Sequence, residues 1–105
     1  MVAALTGYLL DSAHNARELY LVGLEAVPFL LAVGDVLIGW LLLQQAEIAL
    51  NALDGAAAQD DRAFYSGKVA TATFFAKNML PRLAAQRRII DAVDLTVMEM
   101  PEEAF

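Results

Sequence analysis

The stretch Val27–Leu43 reads VPFLLAVGDVLIGWLLL. It is apolar throughout except for Asp35 near its centre, and no Lys or Arg stands at either edge. Such a run either crosses a membrane or forms the spine of a helical bundle. A span needs ~20 apolar residues. An acid at its centre costs ~2.5–3.5 kcal/mol, offsetting much of the ~0.3–0.6 kcal/mol gained from each large apolar side chain. No cation lies between Arg17 and Arg62, so the flanks carry no positive-inside asymmetry. Beyond Leu43 the helical pattern continues through Gln44, Gln45 and Glu47, which an exit from a bilayer would not require. The bundle spine is the better reading, and a membrane partner is not expected.

Outward from that stretch, the helical pattern covers residues 16–54. Apolar or small residues at Leu19, Val22, Ala26, Leu30, Val33, Leu37, Leu41, Ile48 and Ala52 recur in helical steps and define one face. Leu31, Ile38 and Leu42 widen the apolar surface, so the middle of the helix is expected to be buried on several sides. Gly34 and Gly39 are expected to let a neighbouring helix approach closely, and Trp40 to lie in the core. Asp35 is expected at the core edge, paired with Lys68, Lys77, Arg82 or a backbone donor, because a buried charge needs a partner.

Residues 1–15 read as a short amphipathic helix and a loop that carries His14, the only histidine. Residues 55–61 form a connection. Gly55 is a candidate to end the long helix, and Asp60 or Asp61 a candidate to cap the next. A second long helix is expected over 62–97, with Tyr65, Val69, Ala72, Phe75, Met79, Leu83, Ile90 and Val93 on one face. Arg87 and Arg88 are spaced to pair with Asp91 on its surface. Pro28 and Pro81 each remove a backbone donor and predict either a kink or a helix restart. Residues 98–105 form an acidic tail whose Phe105 is available to dock. The expected fold is all-α: two long antiparallel helices and a short N-terminal one, in a single bundle-like domain completed by dimerisation or by further domains.

Composition limits the function. The chain has 105 residues, 59% hydrophobic and 19% charged, which excludes disorder. A chain this short and apolar cannot cover all its greasy surface alone, so a partner is expected. Net charge is −6, and Arg82, Arg87 and Arg88 are too few cations to hold nucleic acid. There is no cysteine, hence no thiol nucleophile, no Cys-based zinc site and no disulfide framework, as suits a cytoplasmic protein. The N-terminus lacks the basic region of a signal peptide.

No Glu-x-x-His pair, GxSxG, P-loop or GxGxxG is present. His14, alone in a loop, reads as solvated surface. Phe64, Tyr65, Phe74 and Phe75 read as core packing rather than an acyl pocket. No catalytic, cofactor-binding or metal-ligating residue stands out.

Three segments carry a resemblance: GDVLIGWLLLQQAEIAL, DRAFYSGKVATATFFAKNMLPRLAAQRRIIDAVDL and MPEEAF. Together they resemble the extra C-terminal helical domain of a subgroup of bacterial acyl-CoA dehydrogenases, the 3-methylmercaptopropionyl-CoA dehydrogenase-like enzymes. The resemblance covers roughly residues 20–105 and rests on Gly39-Trp40, Phe64-Tyr65 with Lys68, and Phe74-Phe75 followed by Leu80-Pro81. These are packing positions. The resemblance implies a parent flavoprotein of fatty acid metabolism that dehydrogenates an acyl-CoA, with its glutamate base and FAD held by upstream domains outside this sequence. It implies a non-catalytic accessory role here: interdomain packing, oligomerisation as a homodimer, or coverage of the acyl-CoA site. A stand-alone helical interaction module is the other reading.

Overall fold

The computed structural model describes residues 1–11, 15–55 and 59–105. His14 and part of the 55–61 connection lie outside the described residues. Four α-helices are present: α1 (Val2–Asp11), α2 (Ala16–Asp54), α3 (Arg62–Asn78) and α4 (Pro81–Asp91). Short 3-10 turns cover Gln59–Asp61 and Glu102–Ala104. No strand occurs among the described residues, so the chain is all-α.

The second long helix does not run from 62 to 97. It stops at Asn78 and restarts at Pro81, and its continuation ends at Asp91. Pro81 is the first residue of α4, where its fixed φ suits a helix start and its missing N–H is not needed. The Met79 and Leu80 amides both donate to the Phe75 carbonyl, closing α3 before the turn. Pro28 behaves differently, since α2 continues through it. The ring leaves the Leu24 carbonyl without its helical donor. Pro28→Ala restores that donor and should raise stability by as much as ~3 kcal/mol. Thermal unfolding would check this; an unchanged or lower midpoint would mean that the proline sets a bend the fold requires.

Where length and composition indicate one domain, the contacts group the chain into two compact units, Met1–Leu31 with Ala84–Phe105, and Ala32–Leu83. In the Ala32–Leu83 unit, α2 and α3 form an antiparallel hairpin. Near its closed end the Arg62 guanidinium donates to the Leu53 carbonyl at 3.1 Å, satisfying one of the open acceptors at the C-terminus of α2. Gly55 closes the last turn through its own amide, to the Asn51 carbonyl, and no described glycine has a positive φ. Asp61 occupies the N-cap position of α3, but its side chain makes no capping bond.

The buried face of α2 in this unit is not the one expected. It consists of Ala32, Gly39, Ala46 and Ala49, with Asp35, Leu42 and Leu53 half-buried beside them. These residues recur in steps of three and four. A Cβ placed on Gly39 would lie 3.2 Å from a Leu80 methyl and 3.4 Å from the Phe75 ring. Small side chains thus let α3 and its following turn approach closely. Leu30, Leu37, Leu41 and Ile48 are left exposed on the other side, and so is Trp40. On α3 the expected face holds: Ala72 is buried, and Tyr65, Val69, Phe75 and Met79 are half-buried. Gly34 has nothing within 4 Å of its Cβ position, so close approach applies to Gly39 alone of the pair.

The other unit has a core of Leu5, Leu21 and Ile90. Tyr8 donates its hydroxyl to the Ile90 carbonyl at 3.3 Å, tying α1 to the last turn of α4. The Asn15 side chain accepts the Arg17 amide at 3.1 Å and so caps α2, a role its placement in a loop did not reveal. Arg17 pairs with Glu99, which fastens the segment after α4 to the start of α2. Arg87 pairs with Asp91 at 3.7 Å. Phe105 does not dock, being 91% exposed.

Candidate functional site

Three surfaces among the described residues offer themselves as sites. The first is a cavity of about 150 Å³ in the Ala32–Leu83 unit, lined by Gln45, Ile48 and Ala49 from α2 and by Phe64, Tyr65 and Lys68 from α3. The Lys68 ammonium sits 5.3 Å from the Phe64 ring centre and donates to the Gln45 side chain at 3.4 Å. Phe64 and Tyr65 meet edge to face with ring centres 5.5 Å apart. Of the residues that carry the family resemblance, Phe64, Tyr65 and Lys68 therefore adjoin. Phe64 and Phe74 are exposed and Tyr65 and Phe75 half-buried, so the aromatic set is only partly core.

A second surface, in the other unit, is a cleft of about 460 Å³ lined by residues including Leu24, Glu25, Ile89, Val93 and Asp94. Glu25 is the buried acid of this chain, 8% exposed, and accepts a hydrogen bond from the Gln86 amide at 3.3 Å. The sequence reading fixed on Asp35 instead. Asp35 is half-buried and, among the described residues, has no ion pair with Lys68, Lys77 or Arg82. Glu25 was legible in principle, because it stands seven residues before Ala32, in register with the buried series Ala32, Gly39 and Ala46. The Asp94 carboxyl is held below its ordinary pKa, chiefly by the Thr96 backbone amide at 3.0 Å and then by the Thr96 hydroxyl. Its favourable contribution is present above the unfolded carboxylate value of ~3.9 and is lost as pH falls through the lower folded value.

The third surface is the outer side of α2. Val27 and Leu30 are 65% and 67% exposed, and Leu37, Trp40, Leu41 and Ile48 are also open. By length and composition α2 is long and apolar enough to cross a membrane, a test that core helices of soluble proteins also pass. The share of its most apolar stretch buried within the chain is low, contrary to the expectation that its middle is enclosed on several sides. A monomer does not leave so much contiguous apolar surface open without something to cover it.

Among the described residues no group of His, Asp and Glu comes together to hold a metal ion. The residues present do not fit FAD either. A flavin dinucleotide needs converging donors for its pyrophosphate, whereas the cleft presents two carboxylates and the outer face of α2 presents hydrocarbon. No step of a flavin reaction is assigned to this chain.

Comparison with known proteins gives this surface a context. Over its whole length the chain is 53% identical to the broad-specificity linear acyl-CoA dehydrogenase FadE5 of Mycobacterium tuberculosis, and covers 17% of that protein. It is 35% identical over 94 residues to a butyryl-CoA dehydrogenase of Syntrophomonas wolfei, covering 89% of this chain and 15% of the relative. A second butyryl-CoA dehydrogenase of that organism is 28% identical over 97 residues. The chain thus spans about a sixth of the length of these curated relatives. A family model described as "Acetyl-CoA dehydrogenase C-terminal like" matches residues 1–101. The chain belongs to this family of acyl-CoA dehydrogenase C-terminal domains.

Proposed function

We propose that the chain is the accessory helical domain of an FAD-dependent acyl-CoA dehydrogenase acting in the cytoplasm. It holds no catalytic residue, and FAD and acyl-CoA are bound by the upstream domains. Its work is to pack, covering apolar surface of those domains or of a second copy of the protein. One observation carries this reading: α2 buries small residues against its own hairpin and keeps its large apolar side chains outside. A helix built only for its own fold would do the reverse, because burial stabilises by ~25 cal/mol per Å² of apolar area.

Two measurements test the proposal. The purified chain should show no flavin absorbance after expression in cells that make FAD; retained yellow colour would overturn the non-catalytic reading. In the full-length dehydrogenase, Leu37→Glu should lower the unfolding midpoint by ~1–2 °C with kcat within about twofold of the parent, since ~2 kcal/mol of lost packing shifts the midpoint of so long a chain by that order. An unchanged midpoint would show that the outer face of α2 is not a packing surface.

A further inference from the structure

Glu25 is 8% exposed, and no cation pairs with it among the described residues. Its Oε2 accepts the Gln86 amide at 3.3 Å, a neutral partner. Its Oε1 has no hydrogen-bond partner, whereas every fully buried side-chain oxygen and nitrogen among the described residues has one. Oε1 therefore opens onto the cleft that Glu25 lines. That cleft lies wholly within the unit formed by Met1–Leu31 and Ala84–Phe105. A carboxylate so far removed from water is costly unless a cation meets it.

We propose that the cleft receives an arginine side chain from the upstream domains of the same dehydrogenase, with its guanidinium on Glu25. This rests on the accessory-domain reading above and names the chemistry of one anchor. Leu24, Ile89, Val93 and Val97 supply an apolar wall for the hydrocarbon stem of such a side chain. A cavity of ~150 Å³ takes a benzene ring, so a cleft of about 460 Å³ has room for it. Asp94, exposed on the same cleft, adds a second negative charge. The weakly hydrated, forked guanidinium suits a buried carboxylate better than an ammonium does. A metal ion does not suit the site, because hydrocarbon lines most of it and no metal-holding group occurs among the described residues.

Charge places the arginine outside this chain. Arg17 and Arg87, in the same unit, are engaged by Glu99 and Asp91. The net charge of −6 repels a second copy and attracts a cationic surface. The chain spans about a sixth of the length of its relatives, which leaves ample sequence to supply that surface.

The full-length dehydrogenase tests the proposal by two readouts. Photoreactive benzoylphenylalanine in place of Val97, which is 69% exposed on the cleft, should link to an arginine-containing peptide of an upstream domain, read by mass spectrometry. Glu25→Gln keeps the side chain's shape and can still accept the Gln86 amide. It should speed proteolytic release of this domain at least ~tenfold, the scale on which losing one member of a buried charge pair acts. Replacing the linked arginine by alanine should do the same, and the double variant should be released no faster than either single one. Linking to a second copy of this chain, linking to a peptide without arginine, no linking, or additive effects would each overturn the proposal. A protein that carries flavin and dehydrogenates yet fails these tests leaves the accessory-domain reading standing. One with neither flavin nor activity overturns that reading and the anchor with it.

Discussion

Ile90→Ala is expected to lower the unfolding free energy by ~2–5 kcal/mol, the range for truncating a fully buried aliphatic side chain. Ile90 is 0% exposed and is the largest fully buried side chain of the chain. Among the described residues its unit has Leu5 and Leu21 beside it as buried large apolar residues, so little can collapse into the space left behind. The Ile90 carbonyl also receives the Tyr8 hydroxyl, and loosening the last turn of α4 would weaken that tie to α1. Domains of this size hold a total of ~5–15 kcal/mol, so the variant should unfold at markedly lower urea. A loss under 1 kcal/mol in urea titration would show that the unit draws its stability from elsewhere.

Gly39 should separate two effects that oppose each other. Gly39→Leu must push γ and δ carbons into a site where even the Cβ would meet Leu80 at 3.2 Å and Phe75 at 3.4 Å. Overpacking of this kind costs ~1–3 kcal/mol, and more where the helices must separate. Gly39→Ala adds only the Cβ. Its nearest neighbours are the ends of flexible side chains, which can give by a few tenths of an ångström. Alanine also gains up to ~1 kcal/mol of helix propensity in mid-helix, so the alanine variant should lie near the parent. If leucine were tolerated as well as alanine in thermal unfolding, the close packing of α2 on the turn after α3 would be refuted.

Much of the fold was legible. Helix α2 over 16–54, the inner face of α3 and the interruption at Pro81 all follow from local causes: apolar spacing and a missing donor. The surface pair Arg87–Asp91 was legible for the same reason, since residues four apart on a helix are neighbours. What misled was the assumption that the most apolar face is the buried one. Leu30, Leu37 and Leu41 outrank Ala32, Gly39 and Ala46 in hydrophobicity, yet the small residues are inside. Contact with α3 is decided by how near two helix axes can come, and hydropathy does not report that distance. Asp35 lies half-buried beside that small-residue face, at the core edge as expected, but the ion pair expected of it with Lys68, Lys77 or Arg82 does not form among the described residues.

The amino-acid order was therefore sufficient for helicity and the antiparallel hairpin, since each depends on residues close in the chain. The membership of a dehydrogenase family could likewise be read from packing motifs spread along it. The side of α2 that faces inward, the burial of Glu25 beside Gln86 and the exposure of Trp40 could not. Those depend on which distant residues meet, and a helix with apolar residues on two sides leaves that choice to the packing of its partners.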